Sequence, residues 1–421
     1  MEQINTIDKI SAVYRNTAEE ARQELNKVQQ KIYRIGSLRL LLFVAGVVGI
    51  IYFWSESWGI LACIALITLL PFLFLMKYHN RLFHRKDYLE KKMEINEQEL
   101  AALDYDTSSF DDGEAYIDPT HLYTYDLDVF GPHSLFQYIN RTCTQPGKHR
   151  LGKHLERKEE IIRRQEAVSE LAPELKFRQR FRILGLLYKG KAADETELCQ
   201  WAESPSIFRS RKLLRLLPVL VTGANLICLA LVMAGILSAS IYGIIWTCFV
   251  IAGFGFTGKV TKMQAIYGKK LQILSTYAAL LHLMEKQPAQ ATLLKEIRQQ
   301  IDGEKRKASH SISRLNKLMD ELDQRNNVFM YVILNGLFFW ELRQIMRIEA
   351  WKEQYAAELP GWLDAIGQMD ALNSLATFAY NHPDYIYPKI VQAERKGKGN
   401  LNKEEESNSE TEAPINAPSS F

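Results

Sequence analysis

The sequence predicts an all-α protein built around two membrane-spanning helical hairpins, on three observations. Two long blocks are nearly free of charge: the 37 residues between Arg39 and Lys77 carry only Glu56, and the 43 residues between Arg215 and Lys259 carry none. Elsewhere apolar side chains recur at steps of three and four, the period of a helix with one buried face. No run rich in Val, Ile and Thr and bounded by turn residues reads as a strand.

Composition narrows the class. At 421 residues the chain has room for several domains. Lys and Arg number 52 against 49 Asp and Glu, a net charge of +3, so there is no global basic field of the kind a nucleic-acid coat protein carries. With 47% hydrophobic and 24% charged residues the chain as a whole is not disordered. Its mean hydropathy of -0.17 averages a polar majority with the two apolar blocks. Cys63, Cys143, Cys199, Cys228 and Cys248 show no CxxC and no framework spacing, which excludes a disulfide-stapled secreted domain.

Residues 7–35 place Ile7, Ile10, Tyr14, Ala18, Ala21, Leu25, Val28, Ile32 and Ile35 on one face, a coiled-coil seam leading into the first apolar block. Leu40–Trp54 and Trp58–Met76 flank Ser55, Glu56 and Ser57, predicting spans at about 38–56 and 58–76. The run begins well inside the chain and lacks a cleavage-site pattern, so it reads as an anchor rather than a signal peptide. Leu82, Leu89, Met93, Leu100 and Leu103 continue a helical stripe, so the two arms are expected to pack together as a stalk over 1–105. Leu216–Leu237 and Ile241–Gly258 form the second hairpin, over 213–258. Arg and Lys flank both blocks and neither connecting turn carries one, which predicts a multi-pass protein of the cytoplasmic (inner) membrane with both termini cytoplasmic.

Between the hairpins, 104–133 is rich in Asp, Gly, Pro and Ser and reads as a loop-rich entry to a helical region extending to 212. Thr144, Gln145, Pro146 and Gly147 start a helix with proline in its first turn. After the second hairpin a second helical region covers 259–392, and its stretch 262–380 is nearly all helical pattern. Phe329–Trp340 is apolar but too short to span a bilayer, and reads as a buried helix segment. Residues 393–421 read as a disordered tail; 401–421 hold five Glu and one Lys with almost no large apolar side chain.

Signals for chemistry are weak. Residues 253–260 imitate a phosphate-binding loop, but Val260 stands where a hydroxyl is needed and no strand precedes it. The histidines form no zinc pattern, and His149 and His154 read as solvated. Phe339 to Glu341 reads as core packing. No catalytic residue, metal ligand or cofactor ligand is expected. Lys148, Arg150, Lys153 and Arg157 are the candidate phosphate contacts, although a solvated helix face explains a basic cluster more simply.

Two segments resemble a known family. The stretch YDLDVFGPHSLFQYINRT at 125–142, running on to Pro146, Gly147, Lys148 and Leu151, resembles the opening of the core domain of MutS DNA mismatch-repair proteins; Arg164 to Val168 with Leu171 resembles the helix that follows. Ile366 to Ala379, with Tyr385 and Pro388, resembles the end of that family's lever helices. The resemblance implies a helical core and lever over roughly 125–185 and 290–390. It implies structural roles for Phe136, Asn140, Arg141 and Asp370, as a helix-end polar pair and an inter-helix hydrogen bond. The family's mismatch-reading and connector domains have no counterpart, and its ATPase motifs, which bind ATP and Mg, are absent from this sequence. The resemblance therefore implies a membrane-anchored, non-catalytic DNA-binding or scaffold module related to mismatch repair. Its partners would be the membrane, duplex DNA and a second copy joined through the coiled coil or lever helices. Two alternatives stand beside it: a truncated fragment of a MutS-like ATPase, and a structural four-span protein carrying a helical platform.

Overall fold

The computed structural model describes residues 2–55, 57–156, 161–187, 192–267, 271–303, 307–323 and 328–388. Every regular element among them is a helix. The predicted tail and Arg157 lie outside the described residues.

The stalk is two long helices, α1 (Glu2–Tyr52) and α2 (Trp58–Leu103), joined at Ser55–Ser57. In the apolar half they touch chiefly each other. A β-carbon on Gly46 would come within 3.0 Å of Thr68 Oγ1 and one on Gly49 within 3.2 Å of Ile64, so small residues set the close approach. Outside that half, Ile10, Tyr14, Ala18, Ala21, Leu25 and Val28 are buried, as the helical spacing requires. Two details differ from expectation. The seam starts at Ile10, since Ile7 is exposed. The buried face of α2 passes from Leu82 and Leu89 to Ile95, Asn96, Glu99 and Ala102, leaving Leu100 and Leu103 only half-buried. The seam is covered by α2, so the face a coiled-coil homodimer would need is occupied within one chain.

The 104–133 loop is held by aspartates accepting from the backbone two residues on, at Asp106, Asp111 and Asp118. It contains a 3₁₀ turn at Glu114–Tyr116. Gly113 has φ 73, and a β-carbon there would sit 2.6 Å from the Phe136 ring, so conformation and space both demand glycine. There follow α3 (Leu135–Ile139), capped by Ser134, then α4 (Gln145–Glu156), α5 (Ile161–Leu171), α6 (Leu175–Leu186) and α7 (Ala192–Glu203). Beyond the second hairpin, α8 (Lys212–Met233) and α9 (Ala239–Tyr267), come α10 (Leu271–Met284), α11 (Thr292–Ile301), α12 (Ala308–Asp323), α13 (Val328–Phe338), α14 (Trp340–Tyr355) and α15 (Leu359–Asn381). The helix α15 is buried over most of its length against α4, α5, α6, α10 and α11. Residues from both sides of the second hairpin share one core, from Ala167 and Phe181 to Ile312, Trp351 and Leu372. The described residues up to Tyr385 form one compact unit.

Among the described residues four helices, α1, α2, α8 and α9, carry apolar windows long enough to cross a membrane. The phosphate-loop imitation lies within α9, where a helical backbone offers no cradle of N–H groups. The apolar segment from 329 forms α13, packed against both α8 and α9 rather than enclosed in the body's core. The helical path breaks at Phe339, φ 47. A break frees carbonyls before it and N–H groups after it, and in an apolar medium those groups need partners. Asn225 of α8 supplies the first, its Nδ2 donating to Gly336 O (3.0 Å) and Leu337 O (3.3 Å). Asn335 supplies the second, accepting from Glu341 N at 2.9 Å. Gly336 permits the close packing of α13 on α9: a β-carbon would lie 2.4 Å from Trp246.

Candidate functional site

The polar centre of the molecule is where the stalk meets the body. Glu99, near the end of α2, is 3% exposed. Its Oε1 accepts from Arg141 Nε (2.7 Å) and Arg182 Nη1 (2.6 Å), and its Oε2 from Asn381 Nδ2 (2.9 Å). Asn381 in turn accepts from the Tyr14 hydroxyl at 2.7 Å. One carboxylate thus links α1, α2, the loop after α3, α6 and α15. Neighbouring bonds widen the joint. Gln179 Nε2 donates to Asn96 Oδ1 (2.7 Å) and Arg182 to Gln98 Oε1 (2.8 Å). Arg178 donates to Thr377 Oγ1 at 2.7 Å and to the carbonyls of Leu171 and Ala172. The Arg141 guanidinium lies 3.6 Å from the centre of the Phe110 ring.

An isolated buried carboxylate is costly, so it survives only with full pairing. Burial alone pushes the Glu99 carboxyl up. The charges of Arg141 and Arg182, with the hydrogen bonds from Arg141 and Asn381, outweigh it and hold Glu99 below the usual carboxylate range. Burial, followed by the charge of Glu99, pushes the Tyr14 hydroxyl above its ordinary range, so it remains a donor.

A second node adjoins this one. Asp370 of α15, 1% exposed, accepts from Cys143 N (3.0 Å), Thr144 N (2.8 Å) and Thr144 Oγ1 (2.7 Å). It therefore caps the N-terminus of α4 from a helix 226 residues away, where a negative charge is favoured. Burial outweighs the donated bonds, and its carboxyl is pushed up to about 6. A β-carbon on Gly147 would lie 2.1 Å from Asp370 Oδ2, and one on Gly367 2.7 Å from Pro146, so both glycines allow this docking. Ser374 accepts from Arg141 N (2.8 Å) and donates to Ile139 O (2.7 Å).

The four residues singled out by resemblance cluster here. Phe136 is fully buried with Val129, Phe130, Leu151 and Ala371. Asn140 accepts from Thr142 N and Oγ1 and donates to Asp111 O. Arg141 joins Glu99, and Asp370 joins α4. The candidate phosphate contacts are placed differently. Lys148 is ion-paired with Asp111 and Arg150 with Asp364, whereas Lys153 is exposed. His149 is exposed as expected, but His154 is half-buried, and burial with the charges of Arg164 and Arg150 lowers its pKa to about 3.

Sequence reasoning missed Glu99, Arg178, Arg182 and Asn381. The available signal was an acid and an amide, Glu99 and Asn96, interrupting the apolar stripe of α2. A groove of about 910 Å³ between α10 and α12 is lined by His282, Lys286, Lys307 and His310. Its buried acid, Glu285, is spent on Ser309 N (3.0 Å) and Oγ (2.7 Å) at the start of α12. Among the described residues no group of three His, Cys, Asp or Glu is arranged to hold a metal ion. No known protein family, curated protein or solved structure matches this chain.

Proposed function

We propose that this chain is a membrane-anchored, non-catalytic scaffold module of MutS-like core and lever type. Its stalk holds a helical body at a set attitude to the inner membrane. Both hairpin turns face outward and the body lies on the cytoplasmic side. The carrying observation is the Glu99 cluster, whose buried hydrogen bonds join the stalk to α6 and α15. In support of the MutS-like reading, the two resembling segments pack on each other through Asp370, Thr144 and Gly147. Duplex DNA is the proposed partner with less support, because Lys148 and Arg150 already face carboxylates.

Spin labels at the exposed positions Lys27 of α1 and Lys176 of α6 test rigidity, on a background lacking Cys63 and Cys248. The expected result is a narrow distance distribution in the parent and a broad one in Glu99→Gln. A broad parent distribution, or an unchanged variant, sinks the rigid-scaffold reading. Titration of the full chain in nanodiscs with duplex DNA at low salt tests the partner. Binding that weakens steeply with salt supports DNA contact, and no binding removes DNA from the reading.

A further inference from the structure

Where α8 leaves the body, a cleft of about 620 Å³ opens between α8 and α14. Four arginines line it: Arg209 and Arg215 from the entry to α8, Arg343 and Arg347 from α14. Two are offset by acids, Arg209 by Glu353 at 2.7 Å and Arg347 by Glu321 at 3.0 Å. The other two are not: Arg215 Nε donates only to the carbonyl of Arg209 (2.6 Å), and among the described residues no carboxylate pairs with Arg215 or Arg343. The cleft therefore holds two uncompensated positive charges.

Its other end is apolar. Beyond Arg215 the wall of α8 continues through Val219, Thr222 and Leu226. At 1.5 Å rise per residue, Leu226 lies about 16 Å farther along the helix than Arg215. Val219 is 69% and Leu226 62% exposed, so among the described residues these two side chains are left largely uncovered. Arg215 is also the last charge before the charge-free run. A cleft charged at the boundary of an apolar helix and greasy along its length matches a molecule with the same division. A small free anion would leave the greasy wall unused.

We propose that this cleft binds one anionic phospholipid, its phosphodiester between Arg215 and Arg343 and an acyl chain along Val219 and Leu226. Basic pockets between membrane helices on the cytoplasmic side favour anionic headgroups for this reason. The inference rests on reading α8 and α9 as membrane spans. Bound there, the lipid would tie α14, and with it the body, to the surface of the cytoplasmic leaflet.

The test uses the full chain in detergent, following its thermal unfolding midpoint against added phosphatidylglycerol, phosphatidylcholine or sodium phosphate. Phosphatidylglycerol is expected to raise the midpoint saturably, phosphatidylcholine far less, and phosphate not at all. Arg215→Gln combined with Arg343→Gln is expected to weaken the apparent phosphatidylglycerol affinity, about fivefold for each arginine. Arg343→Lys, which keeps the charge, is expected to retain most of it and guards against a misfolded double variant. Arg314→Gln, which removes one positive charge from the exposed face of α12, is expected to leave affinity unchanged. Parent-like affinity in the double variant, or an equal response to phosphatidylcholine or to phosphate, overturns the proposal. Carbonate extraction separates the two readings. A chain stripped from membranes fails as a spanning protein, whereas one that stays while the double variant binds normally loses only the lipid site.

Discussion

In the first hairpin the apolar windows of α1 and α2 are 6% and 0% buried, whereas those of α8 and α9 are 17% and 11% buried. The second hairpin holds α13 between its helices through Asn225, Gly336 and Trp246. The first holds nothing of the body in its apolar half and joins the body only through its polar arms, at Glu99 and Tyr14. Two segments of similar composition are thus attached by opposite physics. One is joined by a buried ion cluster lying more than a dozen residues outside the apolar stretch. The other is joined by close packing and amide hydrogen bonds inside it. The lesson is that an apolar run states where a helix resides and leaves open what it carries.

The comparison breaks most visibly at Glu99. Glu99→Ala leaves Arg141 and Arg182 buried without their carboxylate, and is expected to destabilise the body by about 3–5 kcal/mol in thermal unfolding of the full chain. It should leave the α8–α9–α13 packing intact. If hydrogen exchange in α13 rises as much as in α15, the two attachments are not independent. Gly336→Leu attacks the other attachment by forcing a side chain into Trp246 and Val250, at an expected cost of about 1–3 kcal/mol. Gly243→Ala, with nothing within 4 Å of the new β-carbon, is the matched control and should be neutral. Asn225→Leu removes the donor to Gly336 and Leu337, with an expected loss of about 0.6–2 kcal/mol.

Acidity sharpens the contrast between two of the buried acids, Glu99 of the stalk and Asp370 of the body. Glu99 is held below its ordinary 4.5, so its contribution is present above that value and is lost as pH falls through the folded pKa. Asp370 is shifted the other way, from 3.8 to about 6, so the folded chain holds a proton that the unfolded chain has released, and this group makes stability fall as pH rises across that window. Unfolding midpoints measured against pH should therefore lose their acid-side decline in Glu99→Gln and their decline toward pH 6 in Asp370→Asn. Identical profiles in parent and variants would contradict both assignments. The smallest effect is expected at the stalk surface. Arg22→Ala, which breaks an exposed pair with Glu97, should change stability by under about 0.5 kcal/mol.

Much of the architecture was legible in the residues. The charge-free blocks mark the four long apolar helices, the three-and-four spacing of Ile10 to Val28 marks the buried arm, and Pro146 marks the start of α4. The resembling segments pointed to Asp370 and Arg141, which lie in the polar centre. Their partners were less legible. Glu99 and Asn381 are 282 residues apart, and polar residues on helices ordinarily face water. Lys148 and Arg150 looked like a free basic face because their acids, Asp111 and Asp364, stand far off in sequence.

By itself the sequence determined the helical class, the two apolar hairpins and the absence of charge within the second. Periodicity and hydropathy are local properties that each segment carries whatever its neighbours. Only the tertiary structure decided which charges are buried and paired, that α13 belongs with α8 and α9, and that two arginines beside α8 stay uncompensated. Those outcomes depend on which side chains meet across hundreds of residues, and desolvation of a charge is settled only by the groups that surround it.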